Sequence, residues 1–348
     1  YDLARAPQKR PFFLTVSYTH PHPPFVAPQR FWDLYRDEDI DDPRVPPIAY
    51  DDLDVHSQWL YIAHAQNLYS TSPEQVRRAR HAYYAMVSYV DEKIGRILSV
   101  LEETGLDRNT VVVFCGDHGE MLGERGMWFK QCFFESSVRV PMIVSMPERF
   151  APARVAAHVS LVDLLPTFMD LACNGQPPEP VGPLHGTSLL PLLDGSASGQ
   201  ERTVISEYSS EGVCAPSRMV REGPWKYIFT NGLAPLLFNL QSDPDELENL
   251  AGQAAHAGIE NHLHARTVQD WDPATVHAQI LASQRERLFL AEVAGANVGS
   301  PNWAFQPFVD ETQRFIRGSG AAGPTSVKSR ARFPYVEPAQ PDQVVNEK

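Results

Sequence analysis

Several things are scarce in this sequence, and each scarcity excludes something. No apolar run approaches the roughly 18–20 residues of a bilayer-spanning helix, and none reads as a secretory leader. Positive charge is short: 30 Lys and Arg stand against 43 Asp and Glu, a net charge of −13. That balance argues against nucleic acid or an anionic membrane as a partner, since both demand clustered cations. It does not exclude a small anionic substrate, because a local pocket or a metal can oppose the overall field. Cysteine is sparse, and Cys115, Cys132, Cys173 and Cys214 show no paired spacing. Two of them sit in the apolar runs VVVFCG and FKQCFF, where buried free thiols are common. The expectation is a reducing compartment, the cytoplasm. An initiator Met is also missing. The chain opens on Tyr1-Asp2-Leu3-Ala4-Arg5 and turns almost at once into an interior-looking strand, so it is expected to begin partway into a domain.

What is present is ample for a fold. The 348 residues suit one large domain plus a smaller one, and a hydrophobic content of 43% is sufficient for a core. Residues 11–18 (PFFLTVSY) are predicted as a buried parallel strand, followed by the proline-rich loop THPHPPFVAP. Residues 26–70 are mixed and acidic, and are expected to wrap the surface. A long helix is predicted from Ser72. Ser72-Pro73-Glu74-Gln75 forms a capping box with Pro at the first helical position, and Gly105 closes the helix. Its apolar face runs through Tyr83, Met86, Val87, Val90, Ile94, Ile97, Leu98 and Leu101. The β-branched run 110–116 then reads as a strand of a parallel sheet. Further expectations are a strand at 141–146, a helix at 160–172 interrupted at Pro166 and a strand at 202–208. Antiparallel strands packed under a helix are predicted over 217–250, and a second long amphipathic helix over 274–294. The tail from 318 is expected to be mobile or held by a partner subunit.

Chemistry concentrates in a few places. Gly116-Asp117-His118-Gly119-Glu120 follows a strand, where ligands of open α/β sheets bind and where glycines let the backbone approach closely. A carboxylate there suits a hard divalent cation, with the His beside it as a second ligand or an oxygen contact. An Asp–His pair capping a turn would look the same. Lys130 lies twelve positions on, among aromatic and apolar residues. Its ammonium needs an anionic partner or a path to solvent, and alone it reads as structural. His20 and His22 sit in THPHPPF, where prolines would stiffen the loop and preorganise an imidazole.

Taken in order, PHxP after a strand, a long helix, GDHGE after a strand, an aromatic–Lys pair and RVPMIV resemble the type I sulfatases of the alkaline phosphatase superfamily. The resemblance continues through SLVDLLPTFMDLA, GTSLLPLL and WKYIF…LFNLQSDPDELENLA. THPHPPF, GERGMWFKQCFFESSVRVP and NWAFQPFVDETQRFIR are most similar to choline sulfatases. The fold implied is α/β, alkaline-phosphatase-like, with a smaller C-terminal α+β subdomain. Residues 1–200 would be the C-terminal part of the catalytic domain, 201–317 the subdomain, and 318–348 a tail suited to oligomer contacts. The activity implied is hydrolysis of choline-O-sulfate or a related small alkyl or aryl sulfate. By position, Asp117 and His118 would help hold a divalent metal, Ca²⁺ or else Mg²⁺ or Mn²⁺, while Lys130 and His22 contact the sulfate. His20, Glu207, Trp128 and Trp303 are candidates for the leaving-group side, with aromatic and acidic groups suiting a quaternary ammonium. The expected assembly is a dimer or tetramer. Two departures favour a different sulfate ester: Ala304 follows Trp303 where the family pattern has Asp, and Pro23 stands where an Asp is typical.

The resemblance also implies a nucleophile that these residues do not supply in the expected place. Sulfatases use a formylglycine made within C-x-P-x-R, upstream of GDHGE. Cys214-Ala215-Pro216-Ser217-Arg218 spells that motif, but it follows GDHGE, and Pro224 stands ten residues after Cys214 where the family has Gly opening a helix. It is read as a chance match in a loop, and the nucleophile is expected upstream of Tyr1. Two other readings stay open: a phosphodiester or phosphonate monoester hydrolase of the same superfamily, and an inactive ligand-binding relative.

Overall fold

The structure is a computed structural model that describes residues 11–197 and 201–298. In chain order its helices are α1 (Gln29–Trp32), α2 (Val55–Ala63), α3 (Pro73–Thr104), α4 (Glu135–Val138), α5 (Leu164–Ala172), α6 (Leu190–Leu193), α7 (Ala257–Val268) and α8 (Pro273–Val298). The strands are β1 (Val112–Cys115), β2 (Met142–Ser145), β3 (Thr203–Tyr208), β4 (Ser217–Glu222), β5 (Trp225–Thr230) and β6 (Leu236–Asn239).

Helix α3 begins and ends where its caps dictate. The Ser72 hydroxyl accepts from Gln75 N, the Gln75 side chain accepts from Ser72 N, and Gly105 takes the left-handed C-terminal position at φ +68. In α5, Pro166 is the third residue, within the first turn, where no intrahelical N–H bond is due, so the helix runs on unbroken to Ala172.

Strands β3 to β6 form an antiparallel meander, registered Tyr208↔Ser217, Glu222↔Trp225 and Ile228↔Leu236. Side chains alternate between its faces. Met219, Ile228 and Phe238 pack with Leu60 of α2 and with Met121, Met127, Cys132, Phe133 and Phe134. Val220, Tyr227 and Leu237 pack on the other face against Leu263 of α7. Burial of each such side chain is worth about 1.5–3 kcal/mol. The meander is therefore a buried layer, and its first face carries the segment that leads into the site.

Lys226 lies on that same face with no exposed surface. Its ammonium reaches Glu246 and Glu135 at 2.7 Å each and the Phe133 carbonyl at 2.8 Å. Burial raises the Glu246 carboxyl above its ordinary value. Burial acts the same way on Glu135, but Lys226 outweighs it and holds that carboxyl below the usual range.

Four expectations are corrected. Residues 11–18 pair with no strand among the described residues. Phe13 is 73% exposed and meets Phe168 of α5 edge-on at 5.2 Å. Strand β1 exists but pairs antiparallel with β2 (Cys115↔Met142), because the excursion over 116–141 turns the chain back on itself. Phe114 and Ile143 keep exposed apolar faces. Residues 26–70 are not only a surface wrap, since Phe31, Ile40, Val45, Leu53 and Leu60 enter the core. Helix α8 forms but is not amphipathic against a neighbour: residues 281–293 are exposed all round, with Leu288-Phe289-Leu290 in succession. The tail from 318 lies outside the described residues.

Candidate active site

The excursion between β1 and α4 is folded tightly against the start of α4. Gly119 N donates to the Ser137 carbonyl at 2.6 Å and Glu120 N to the Ser136 carbonyl at 2.9 Å. A Cβ on Gly119 would stand 2.0 Å from the Ser136 oxygen, so only glycine fits, whereas one on Gly116 would meet nothing closer than 3.6 Å. The loop then doubles back, with Met121 N bonding to Phe129 O at 2.7 Å and Gly123 N to Met127 O at 2.9 Å. Lys130 is flanked by Phe129 at φ +66 and Gln131 at φ +77. Left-handed backbone at such side chains costs about 1–3 kcal/mol each and persists only where the surroundings over-determine it.

Lys130 Nζ stands 3.2 Å from His22 Nε2. His22 Nδ1 lies 2.6 Å from the Pro23 carbonyl. A carbonyl only accepts, so Nδ1 carries the proton and Nε2 presents its lone pair toward the ammonium. His22 N also donates to Thr19 O at 3.0 Å, and the Pro21 and Pro23-Pro24 residues keep the loop irregular. The His20 ring packs against Tyr89 of α3 at 5.4 Å.

Asp117 and His118 follow β1 as expected. His118 Nδ1 bonds to the Gly119 carbonyl at 2.8 Å, which in the neutral ring puts the lone pair on Nε2, 3.6 Å from Asp117 Oδ2. The Asp117 side chain is 88% exposed. Two ligands at about 2.3 Å on adjacent positions of one hard cation lie about 3.3 Å apart. The pair thus fits two corners of a divalent-ion site, and the fixed His tautomer matches the usual support of a ligating imidazole. Among the described residues no group of three or more His, Cys, Asp or Glu converges in this way.

Further groups adjoin these, among them Trp128, which the sequence offered for the leaving-group side. Burial raises the Glu120 carboxyl despite bonds from Leu122 N and Phe129 N and the nearby charges of Lys130 and His118. Tyr83 of α3 has its phenol pushed up to about 12 by burial, with Glu120 and Asp117 adding to the effect. Phe25 bridges Tyr83 and Trp128 at ring separations of 6.1 and 6.4 Å, forming an aromatic wall. On the far side, burial lowers His64; a hydrogen bond that its ring donates to the Gln131 side chain opposes this, and Lys130 adds to it. Its ring meets Phe129 edge-on at 4.9 Å. His56 of α2 bonds to the Gln131 carbonyl at 2.8 Å, and burial lowers it as well.

Comparison with known proteins gives the family. A family model described as Sulfatase matches residues 2–175, and one described as the C-terminal region of N-sulphoglucosamine sulphohydrolase matches residues 123–271. A choline-sulfatase from Rhizobium meliloti is 39% identical over 91% of this chain and 62% of its own length. This chain belongs to the sulfatase family. An arylsulfatase K from Xenopus laevis is 30% identical, covering 83% of this chain and 57% of that protein. The chain therefore spans about three fifths of the length of these curated sulfatase relatives. Among solved structures, the phosphonate monoester hydrolase of Agrobacterium radiobacter matches with a TM-score of 0.62 and 25% identity over 78% of this chain and 58% of that one. The fold is that of the alkaline-phosphatase-like sulfatases, as the sequence led us to expect.

Within that fold, two sequence candidates are drawn elsewhere. Glu207 on β3 faces Arg218 on β4, whose guanidinium binds it at 2.5 Å, Asp270 at 2.7 Å and the Thr267 carbonyl at 2.8 Å, and lies over Trp271. The Glu207 carboxylate is thus committed to an ion pair beside α7 and does not join the Lys130 cluster. The same Arg218 is the last residue of the Cys214 motif. Cys214 is exposed, the residues that follow form strand β4 with no helix N-terminus, and Arg218 is already engaged. A formylglycine at 214 does not fit this environment. Trp303 lies outside the described residues.

Proposed function

We propose that the protein hydrolyses a sulfate ester, with choline-O-sulfate or a related small alkyl or aryl sulfate as substrate. The observation that carries this reading is the 3.2 Å pairing of Lys130 Nζ with His22 Nε2 in a chain of the sulfatase family. In the proposed roles, the Lys130 ammonium gathers sulfonyl oxygens and offsets the charge that grows on them in the transition state. His22, its Nδ1 proton committed to Pro23, accepts at Nε2 from the Lys130 ammonium and so holds that ammonium at the place proposed for the sulfate. Phe25 and Trp128 wall the leaving-group side, where cation–π contact suits a quaternary ammonium. Asp117 and His118 would hold a divalent metal, with Ca²⁺ the first choice and Mg²⁺ or Mn²⁺ next. When bound, it supplies further positive charge at the sulfonyl group. The formylglycine nucleophile is assigned to sequence outside these 348 residues. Assembly into a dimer or tetramer is supported by the exposed apolar residues of α8, and a cytoplasmic location by four free cysteines.

A second reading, phosphonate monoester hydrolysis, is favoured by the solved structure of that name among the neighbours. Both chemistries place negative charge on the same oxygens. Paired kcat/KM values on an aryl sulfate and an aryl phosphonate monoester separate them. A clear preference for the sulfate is expected, and a preference for the phosphonate would transfer the assignment to the second reading.

A further inference from the structure

We infer that Glu120 and His56 are positioning residues that grip the main chain on either side of Lys130 and fix where its ammonium stands. The consequence for binding rests on the sulfate contact proposed for Lys130; the grip itself does not. Both neighbours of Lys130 hold left-handed backbone, Phe129 at φ +66 and Gln131 at φ +77, and each is met by one side chain. Glu120 Oε1 accepts a short hydrogen bond from Phe129 N–H, and a second from Leu122 N–H at 3.3 Å. On the other side, the Gln131 carbonyl lies 2.8 Å from His56 Nε2. A carbonyl only accepts, so Nε2 carries the proton and Nδ1 accepts from the Ser217 hydroxyl at 3.3 Å. Ser217 in turn shares a 2.9 Å hydrogen bond with Thr230. Gln131 is thereby tied through His56 to β4 and β5, while Phe129 is tied to the loop that leaves β1. His22 then meets a lysine whose root is fixed from both ends.

The chemistry of the two grips tells conservative variants from disruptive ones. A single oxygen of Glu120 makes both bonds, so Gln keeps them, while Met has similar length and keeps neither. At position 56, Gln retains a donor near the place of Nε2, and Leu does not.

Hydrogen exchange at the Phe129 amide reads the first grip directly in the complete protein. Protection is expected in the wild type and in Glu120→Gln, with fast exchange in Glu120→Met. Inorganic sulfate, titrated calorimetrically as a probe, is expected to bind Glu120→Met and His56→Leu roughly 10–100-fold more weakly than wild type, with most of the affinity restored in the two Gln variants. Should Glu120→Met fail to fold, the His56 pair carries the same comparison. An unprotected Phe129 amide in the wild type would overturn the inference. So would wild-type sulfate affinity in folded Met and Leu variants, or Gln variants as weak as these. A wild type with a protected Phe129 amide that binds no sulfate would uphold the grip and sink the sulfate role of Lys130.

Discussion

Gly116 and Gly119 bracket the Asp117–His118 pair in the sequence and look equivalent there, but the packed chain treats them differently. An alanine at 119 would drive its methyl into the Ser136 carbonyl, while one at 116 finds room. Gly119→Ala is expected to cost about 2–4 kcal/mol in denaturant unfolding and Gly116→Ala less than about 1 kcal/mol; equal effects would contradict the packing described. His22, Lys130, Asp117 and His118 were each ambiguous alone and were singled out because their short motifs, taken in order, carry the family resemblance. His56 within α2 and His64 just after it were not, since neither announces anything until tertiary packing brings it to Gln131 and Phe129. Glu207 misled for a related reason: whether a strand carboxylate faces a substrate or an arginine depends on cross-strand register, which one strand's sequence does not state. His56 also makes a pH prediction. Burial lowers its folded pKa, so the unfolded chain takes the proton first as pH falls. The stability it contributes is present above its unfolded pKa and is lost as pH falls toward the folded one. Asp54 nearby opposes the shift without reversing it. Unfolding free energy should fall more steeply from about pH 7 to about pH 5 in the wild type than in His56→Gln. Identical slopes would show that His56 does not titrate in this way.

At the scale of elements, legibility follows how local the cause is. The ends of α3 were readable because a capping box and a C-terminal glycine act within a few residues. The existence of β1 was readable from Val112-Val113-Phe114, but not its partner, because β-branched runs suit parallel and antiparallel ladders alike. The meander was readable from alternation and turns. Its fully buried charge, Lys226, explains itself only with α4 and Glu246 in place. Two buried charges, Lys226 and Glu246, meet the partly exposed Glu135 there, and removing the lysine leaves the buried carboxylate uncompensated. Lys226→Ala is expected to destabilise the protein by about 3–5 kcal/mol in denaturant titration. A loss below about 1 kcal/mol would mean that the triad is solvated and does not tie β5 to the segment following Lys130.

At the scale of the whole molecule, a net charge of −13 coexists with a site built around a lysine and two histidines. The proposed anion specificity is therefore local, held by short-range contacts and not by the overall field. The architecture serves this arrangement. The antiparallel meander and α2 pack together, and the Lys130 loop bonds to His56 of α2 on one side and meets His22 on the other. The most direct test is kcat/KM for an aryl sulfate measured on the complete protein and on its Lys130→Ala variant, with circular dichroism confirming the fold of both. The expected result is turnover by the wild type and a loss of about 10²–10³-fold in the variant. Turnover undiminished by the substitution would contradict the assignment of Lys130 to the sulfate.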